Sequence, residues 1–160
     1  MISGHEDASV EFKSSARWNY RKGAQDPEIE LAMLKTIAGF LNAKGGTLLI
    51  GVDDKGKILG VENDVKLQSA KTRDAFGLWL GNFLMSAIGK TAMMITQISF
   101  KNVEEKDVCR VDVSPSPKPV FVNVQKLNIE DEFFVRMNNQ TQHLSKRELL
   151  DYEKQHWGIG

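Results

Sequence analysis

Apolar positions along the chain fall into short alternating runs and longer helically spaced stripes. "SVEFK", residues 9–13, alternates. Val10 and Phe12 go to one face and Glu11 and Lys13 to the other, which predicts a short strand. Residues 14–26 are polar and predict irregular chain. Pro27 suits the first position of a helix, with Asp26 as its N-cap. Ile29, Met33, Ile37 and Phe40, with Leu34 and Leu41, carry a helical stripe to about residue 42, and the glycines of "NAKGG" end it. Residues 47–53 are almost continuously apolar and predict a strand buried on both faces. "DDKGK" then turns and "ILGV" returns, a hairpin pattern. A second helix is expected over residues 69–88, carrying Phe76, Leu80, Phe83, Leu84 and Ile88. Strands follow near 93–103 and 107–113, joined by "EEKD". "PSPKP" breaks the chain, and further strands are expected near 119–124 and 132–137. The last helix, 145–156, has Ser145 as N-cap and Glu148 three residues on, a capping-box pattern. The order β-α-β-β-α-β-β-β-β-α predicts an α+β fold, a single mixed or antiparallel sheet sandwich with three helices.

The chain has 160 residues, of which 41% are hydrophobic and 26% charged. That suits one domain over residues 1–160 with a sizeable core. The abrupt start in "MISGHEDASVEFK" and the end in "HWGIG" are read as a domain excised from, or fused within, a longer protein. No apolar run approaches the roughly 20 residues needed to span a bilayer, so no membrane partner and a cytoplasmic location are expected. The single cysteine, Cys109 in "VCRVDV", alternates with Arg110 and Asp112 and reads as a buried, inert thiol. Twenty-one basic residues balance 21 acidic ones. This excludes a wholly basic nucleic-acid coat but leaves room for a basic patch. No GxxxxGK[ST] loop is present, so nucleotide hydrolysis is not expected. "GGTLLIG" lacks the GxGxxG order and follows a helix, so its glycines are read as serving a tight turn and close packing. His5, His143 and His156 show no zinc-ligand spacing.

Three groups of residues could carry chemistry. Glu6, Glu11 and the pair Asp53/Asp54 could hold a hard divalent cation, with substrate phosphate completing the shell. On a continuous strand Glu6 and Glu11, five apart, would face opposite sides, and they converge only if the chain bends before Val10. The alternative is surface acids and an ordinary Asp-Asp turn. The segment "KSSARWNYRKG" sets Lys13, Arg17, Arg21 and Lys22 among Trp18 and Tyr20, without an acid. Basic side chains neutralise phosphates and exposed aromatics stack on unpaired bases; the alternative is a solvated loop with Trp18 folded onto the core. In the third group Arg136 leaves a strand end and is followed by a polar turn, Asn138-Asn139-Gln140-Thr141. Its amides and hydroxyl could hold a phosphate, or could simply cap the next helix.

"EDASVEFK", "IAGFLNAKGGTLLIGVDDKGKILGV", "PVFV" and "FFVRMNNQTQHLS", in this order, resemble the Schlafen-type Alba-like (AlbA_2) domain family. The resemblance covers nearly the whole chain and is most specific from Asn42 to Val61. It implies an α+β fold and DNA or RNA binding, as in the regulator modules of many prokaryotic members. From the animal Schlafen members it also implies a metal-dependent endonuclease acting on transfer and ribosomal RNA through three carboxylates. By motif these are Glu6, Glu11 and Asp54, with Asp53 as the alternative. Animal Schlafen cores pair two such lobes in one chain, so a homodimer could supply the second here. The family more often has glycine and serine where this chain has Asn138-Asn139-Gln140-Thr141.

Three functional readings follow. The first is a largely sequence-nonspecific nucleic-acid-binding domain using Lys13, Arg17, Trp18, Tyr20, Arg21, Lys22, Arg136, Asn138 and Thr141. The second is an endoribonuclease in which Glu6, Glu11 and Asp54 hold Mg²⁺ or Mn²⁺ and Lys13 offsets charge on the phosphorane. The third is a protein-interaction or dimerisation module.

Overall fold

The computed structural model describes residues 7–158. Its centre is a four-stranded mixed sheet in the order β1-β4-β6-β5, formed by β1 (Val10–Lys13), β4 (Gly46–Ile50), β5 (Thr96–Val103) and β6 (Lys106–Val113). β1 and β4 run parallel, with Glu11 opposite Leu48 and Lys13 opposite Ile50. A parallel pair needs a long crossover, and α1 (Pro27–Leu41) supplies it. β4, β6 and β5 are antiparallel neighbours. Between β1 and α1 a small hairpin, β2 (Trp18–Asn19) with β3 (Ala24–Gln25), occupies the stretch expected to be irregular.

Two helices cover one face of the sheet. α1 begins where the sequence predicts, with the Asp26 side chain accepting from the Glu28 N–H and Pro27 in the first turn. The second long helix, α3 (Arg73–Ile88), starts at a Thr72 cap, later than the expected residue 69. A short helix before it, α2 (Glu62–Lys66), and one after it, α4 (Lys90–Met93), were not expected. The main core lies between these helices and Leu48, Ile50, Cys109, Val111 and Val113 of the sheet. Cys109 is fully buried, and burial pushes its thiol pKa up, in keeping with an inert thiol. On the opposite sheet face Phe12, Leu49 and Val108 pack with Val52 and Ile58. The expected return strand "ILGV" reduces to one bridge between Val52 and Ile58.

β7 (Val122–Val124) and β8 (Ile129–Glu132) form one more small ladder, and β9 (Phe134–Met137) and β10 (Gln140–His143) another. The strand expected at 132–137 therefore splits between β8 and β9. The chain closes with α5 (Lys146–Trp157), whose Ser145–Glu148 capping box is formed as the sequence predicts. The class is α+β, with five helices among the described residues instead of three. The sheet is likewise divided: one four-stranded unit and three two-stranded ones.

The glycines of "GGTLLIG" act as the sequence reading expects. Gly45 has φ +77 and an added Cβ would meet the Val113 carbonyl oxygen at 2.4 Å, while at Gly46 it would strike the Phe40 ring. Both positions exclude a side chain.

Asn42, fully buried at the end of α1, ties three distant segments together. Its amide donates to the carbonyls of Val120 (2.9 Å) and Phe134 (2.8 Å), and its Oδ1 accepts from the Val120 N–H (2.8 Å). The Tyr152 hydroxyl of α5 donates to the Asn42 carbonyl. Asn42→Ala strands a buried N–H and removes the donor to two carbonyls, at about 1–3 kcal/mol for each buried group left unsatisfied. Urea unfolding should show a loss of about 2–5 kcal/mol; a loss under about 1 kcal/mol would mean that water or a shifted backbone replaces the amide.

Candidate nucleic-acid interface

The β9–β10 hairpin has two distinct faces. Strand alternation sends Val135 one way, to pack with Phe133, Leu144 and α5 residues. Phe134 and Arg136 go the other way, toward α1. Across the ladder Arg136 pairs with Thr141, and Phe134 with His143. Gly39 of α1 permits the close seat of this hairpin: a Cβ there would lie 3.0 Å from the Thr141 methyl and 3.3 Å from the Arg136 nitrogen.

Arg136 then reaches across to the edge strand β1. Its Nη1 donates to Glu11 Oε1 at 2.6 Å and its Nη2 to the Asp7 carbonyl at 2.8 Å. The guanidinium also sits 5.0 Å above the Phe40 ring. Lys13, on the same strand face as Glu11, approaches Glu11 Oε2 at 3.5 Å. Side-chain exposure is 4% for Arg136 and 14% for Glu11, so this is a buried ion pair. At this site the buried Arg136 Nε and Thr141 Oγ1 have no hydrogen-bond partner among the described residues.

Between α1 and the hairpin lies an open cleft of about 490 Å³. Lys13 and Lys35 stand on its rim, Arg136 and Thr141 on its floor, and Phe134 and His143 on its wall. Three cations therefore face one carboxylate, and that carboxylate already contacts two of them. Lys35 lies 5.3 Å over the Phe134 ring. His143 is paired with Glu132, and its ring lies 5.4 Å from that of Phe134 with the planes tilted by 58°.

Of the residues singled out in the sequence, Glu11, Lys13, Arg136 and Thr141 meet in this cleft. Thr141 does so from strand β10, since the turn expected over 138–141 tightens to Asn138-Asn139, with Asn138 at φ +57. Beyond Lys13, the basic and aromatic segment lies elsewhere. Arg17 donates through Nε to the buried Glu30 at 3.0 Å and stacks 4.2 Å over Trp79. Its backbone, with that of Ala16 and the Ser15 hydroxyl, donates to buried Asp64. Burial pushes the Asp64 carboxyl above its ordinary range, against the pull of those donors. Trp18 is half-buried in β2, and Tyr20, Arg21 and Lys22 are exposed around the β2–β3 hairpin, with Lys22 3.3 Å from Asp26.

The carboxylates are dispersed. Asp53 Oδ1 accepts from the N–H groups of Lys55 and Lys57, which fixes the turn. Asp54 is exposed on the same turn, beyond the end of β1, and the turn's flanks Val52 and Ile58 pack on the Phe12 face of the sheet, opposite Glu11. Glu6 lies outside the described residues. Among the described residues no three of His, Cys, Asp and Glu come together to hold a metal, and each Glu11 oxygen already faces a cation. On their own these donors do not fit a hard divalent cation.

Sequence reasoning passed over Lys35. Nothing in the α1 stripe distinguishes it from any solvated helix lysine, and its place comes from a hairpin about a hundred residues away.

The sequence profile of the family described as Schlafen, AlbA_2 matches residues 6–145. No curated protein matches the chain. Among solved structures the chain is similar to the crystal structure of the DIP2311 protein from Corynebacterium diphtheriae, at TM-score 0.62 and 21% identity. The likeness covers 95% of this chain and 28% of that one, so the chain spans less than a third of that protein's length. At this identity the likeness is one of fold. Among the described residues no helix is long and apolar enough to cross a membrane.

Breaking a buried ion pair from one side leaves an uncompensated charge and costs about 3–5 kcal/mol. Glu11→Ala and Arg136→Met should each destabilise on that scale, and the double variant should cost clearly less than their sum. A denaturant double-mutant cycle measures this; additive losses would show that the two side chains do not act as a pair.

Proposed function

Since the chain belongs to the Schlafen, AlbA_2 family, we propose that it binds nucleic acid through the phosphate backbone in the cleft between α1 and the β9–β10 hairpin. One observation carries this reading. Lys13, Lys35 and Arg136 line one cleft with a single carboxylate. Cations with spare donors suit phosphate oxygens and offer little to read bases. The cleft's charge is local, which is compatible with a net charge of zero. In this reading Arg21, Lys22 and Tyr20 form a secondary contact surface. Arg17 contributes by bracing the segment after β1, since its guanidinium is held by Glu30 and Trp79.

A second reading has one observation in its favour: Glu11 shares the cleft with the cations. In it the chain is an endoribonuclease, and Glu6, Glu11 and Asp54, or Asp53, hold Mg²⁺ or Mn²⁺. This reading requires Glu11 to release Arg136 and Lys13 and the Asp53–Asp54 turn to leave the opposite sheet face, and it depends on Glu6. Its test is a transfer-RNA cleavage assay in Mn²⁺ or EDTA, with Glu11→Gln. The glutamine keeps a hydrogen-bond partner for Arg136 but removes its counterion, so the assay is paired with a thermal melt, and only cleavage lost by a folded variant assigns Glu11 to the metal.

Binding is tested by fluorescence anisotropy with a labelled single-stranded oligonucleotide across a salt series. Each phosphate neutralised on a single strand adds roughly −0.7 to the log–log slope. Lys13→Ala/Lys35→Ala should therefore flatten the slope by roughly 1.4. Binding that ignores salt, or no binding, would favour a protein-interaction module.

A further inference from the structure

Arg136 lines a second cavity. This one, of about 310 Å³, is bordered by Lys44, Asn138, Tyr152 and His156. Among the described residues no carboxylate lines it. Lys44 is exposed in the loop after α1, and none of the ion pairs among the described residues involves it. His156 is held flat on Tyr152, with ring centroids 4.9 Å apart and 14° between planes. Tyr152 in turn donates to the Asn42 carbonyl, so this wall is anchored to the same residue as the hairpin. Arg136 is common to both cavities. With its side chain 4% exposed, it serves each as a fixed positive floor and not as a mobile arm.

The geometry points to a second phosphate subsite at Lys44 and His156, so that the ligand is a polynucleotide strand crossing Arg136 from one cavity to the other. The inference rests on the nucleic-acid reading above and extends it. A single phosphate would occupy the first cavity alone. Two cationic cavities joined through one buried guanidinium suit phosphates in series along a backbone. Asn138, exposed at the hairpin tip, borders the second cavity and not the first.

The test compares salt slopes for a labelled single-stranded oligonucleotide with wild type, Lys35→Ala, Lys44→Ala and Lys101→Ala. Lys101 lies on β5, outside both cavities. Lys35→Ala and Lys44→Ala should each flatten the slope by roughly 0.7, and Lys101→Ala should leave it unchanged. A Lys44→Ala slope equal to wild type, with Lys35→Ala still flattened, overturns the strand path and spares the nucleic-acid reading. Equal flattening by Lys101→Ala overturns the path as well, because the attraction is then diffuse. No oligonucleotide binding by wild type overturns both.

Discussion

The side chain of Asn42 fixes where everything around the cleft sits. A helix end normally leaves carbonyls to water. Here the residue after α1 is fully buried and spends its amide on Val120 and on Phe134 at the start of β9. Phe134 is two residues from Arg136, so the amide sets how far the hairpin stands from the helix. The Tyr152 hydroxyl donates to the Asn42 carbonyl from α5, which ties the terminal helix to the same point. Gly39 completes the fit by letting Thr141 and the Arg136 backbone settle onto the helix. Loop, hairpin and terminal helix thus have one reference position, and the cleft between α1 and the hairpin is preformed.

The Glu11–Arg136 pair converts that geometry into electrostatics. Arg136 is almost fully enclosed, and enclosing a guanidinium without a counterion is costly. Glu11 supplies it from the opposite edge of the fold, and the Asp7 carbonyl takes a second donor. The result is a cation held rigidly at the floor of the cleft, with Lys13 and Lys35 added at the rim. A chain of zero net charge can present a basic surface in this way, because its acids are used elsewhere. Asp53 stabilises a turn, Asp64 gathers the Ser15–Arg17 backbone, and Glu30 holds Arg17.

Local rules carried much of the fold. The Asp26–Pro27 start, the Ser145–Glu148 box and the alternation that buries Cys109 each depend on residues a few positions apart, and each appears as read. The same alternation placed Glu11 and Lys13 on one face. What failed was what depends on distant partners. "NNQTQ" is polar enough to read as a turn, yet Thr141 pairs with Arg136 in a ladder. Arg17 looks like a free cation in "KSSARWNYRKG", because Glu30 and Trp79, which hold it, are far along the chain. Lys35 and Lys44 carry no local signal at all. Their meaning comes from a hairpin that packs against α1 and a helix tied to its C-cap, both from the far end of the sequence.

The central claim is that phosphate binds on the α1 and hairpin side of the molecule. The helix-free face of the sheet offers a competing groove of about 370 Å³, bordered by Leu49, Val108, Lys101 and Arg110. The most direct measurement is an amide chemical-shift titration of the labelled protein with a single-stranded oligonucleotide. The account predicts that the largest shifts fall on Lys13, Lys35, Lys44 and Thr141. Shifts concentrated instead on Lys101, Val103 and Arg110 would contradict it.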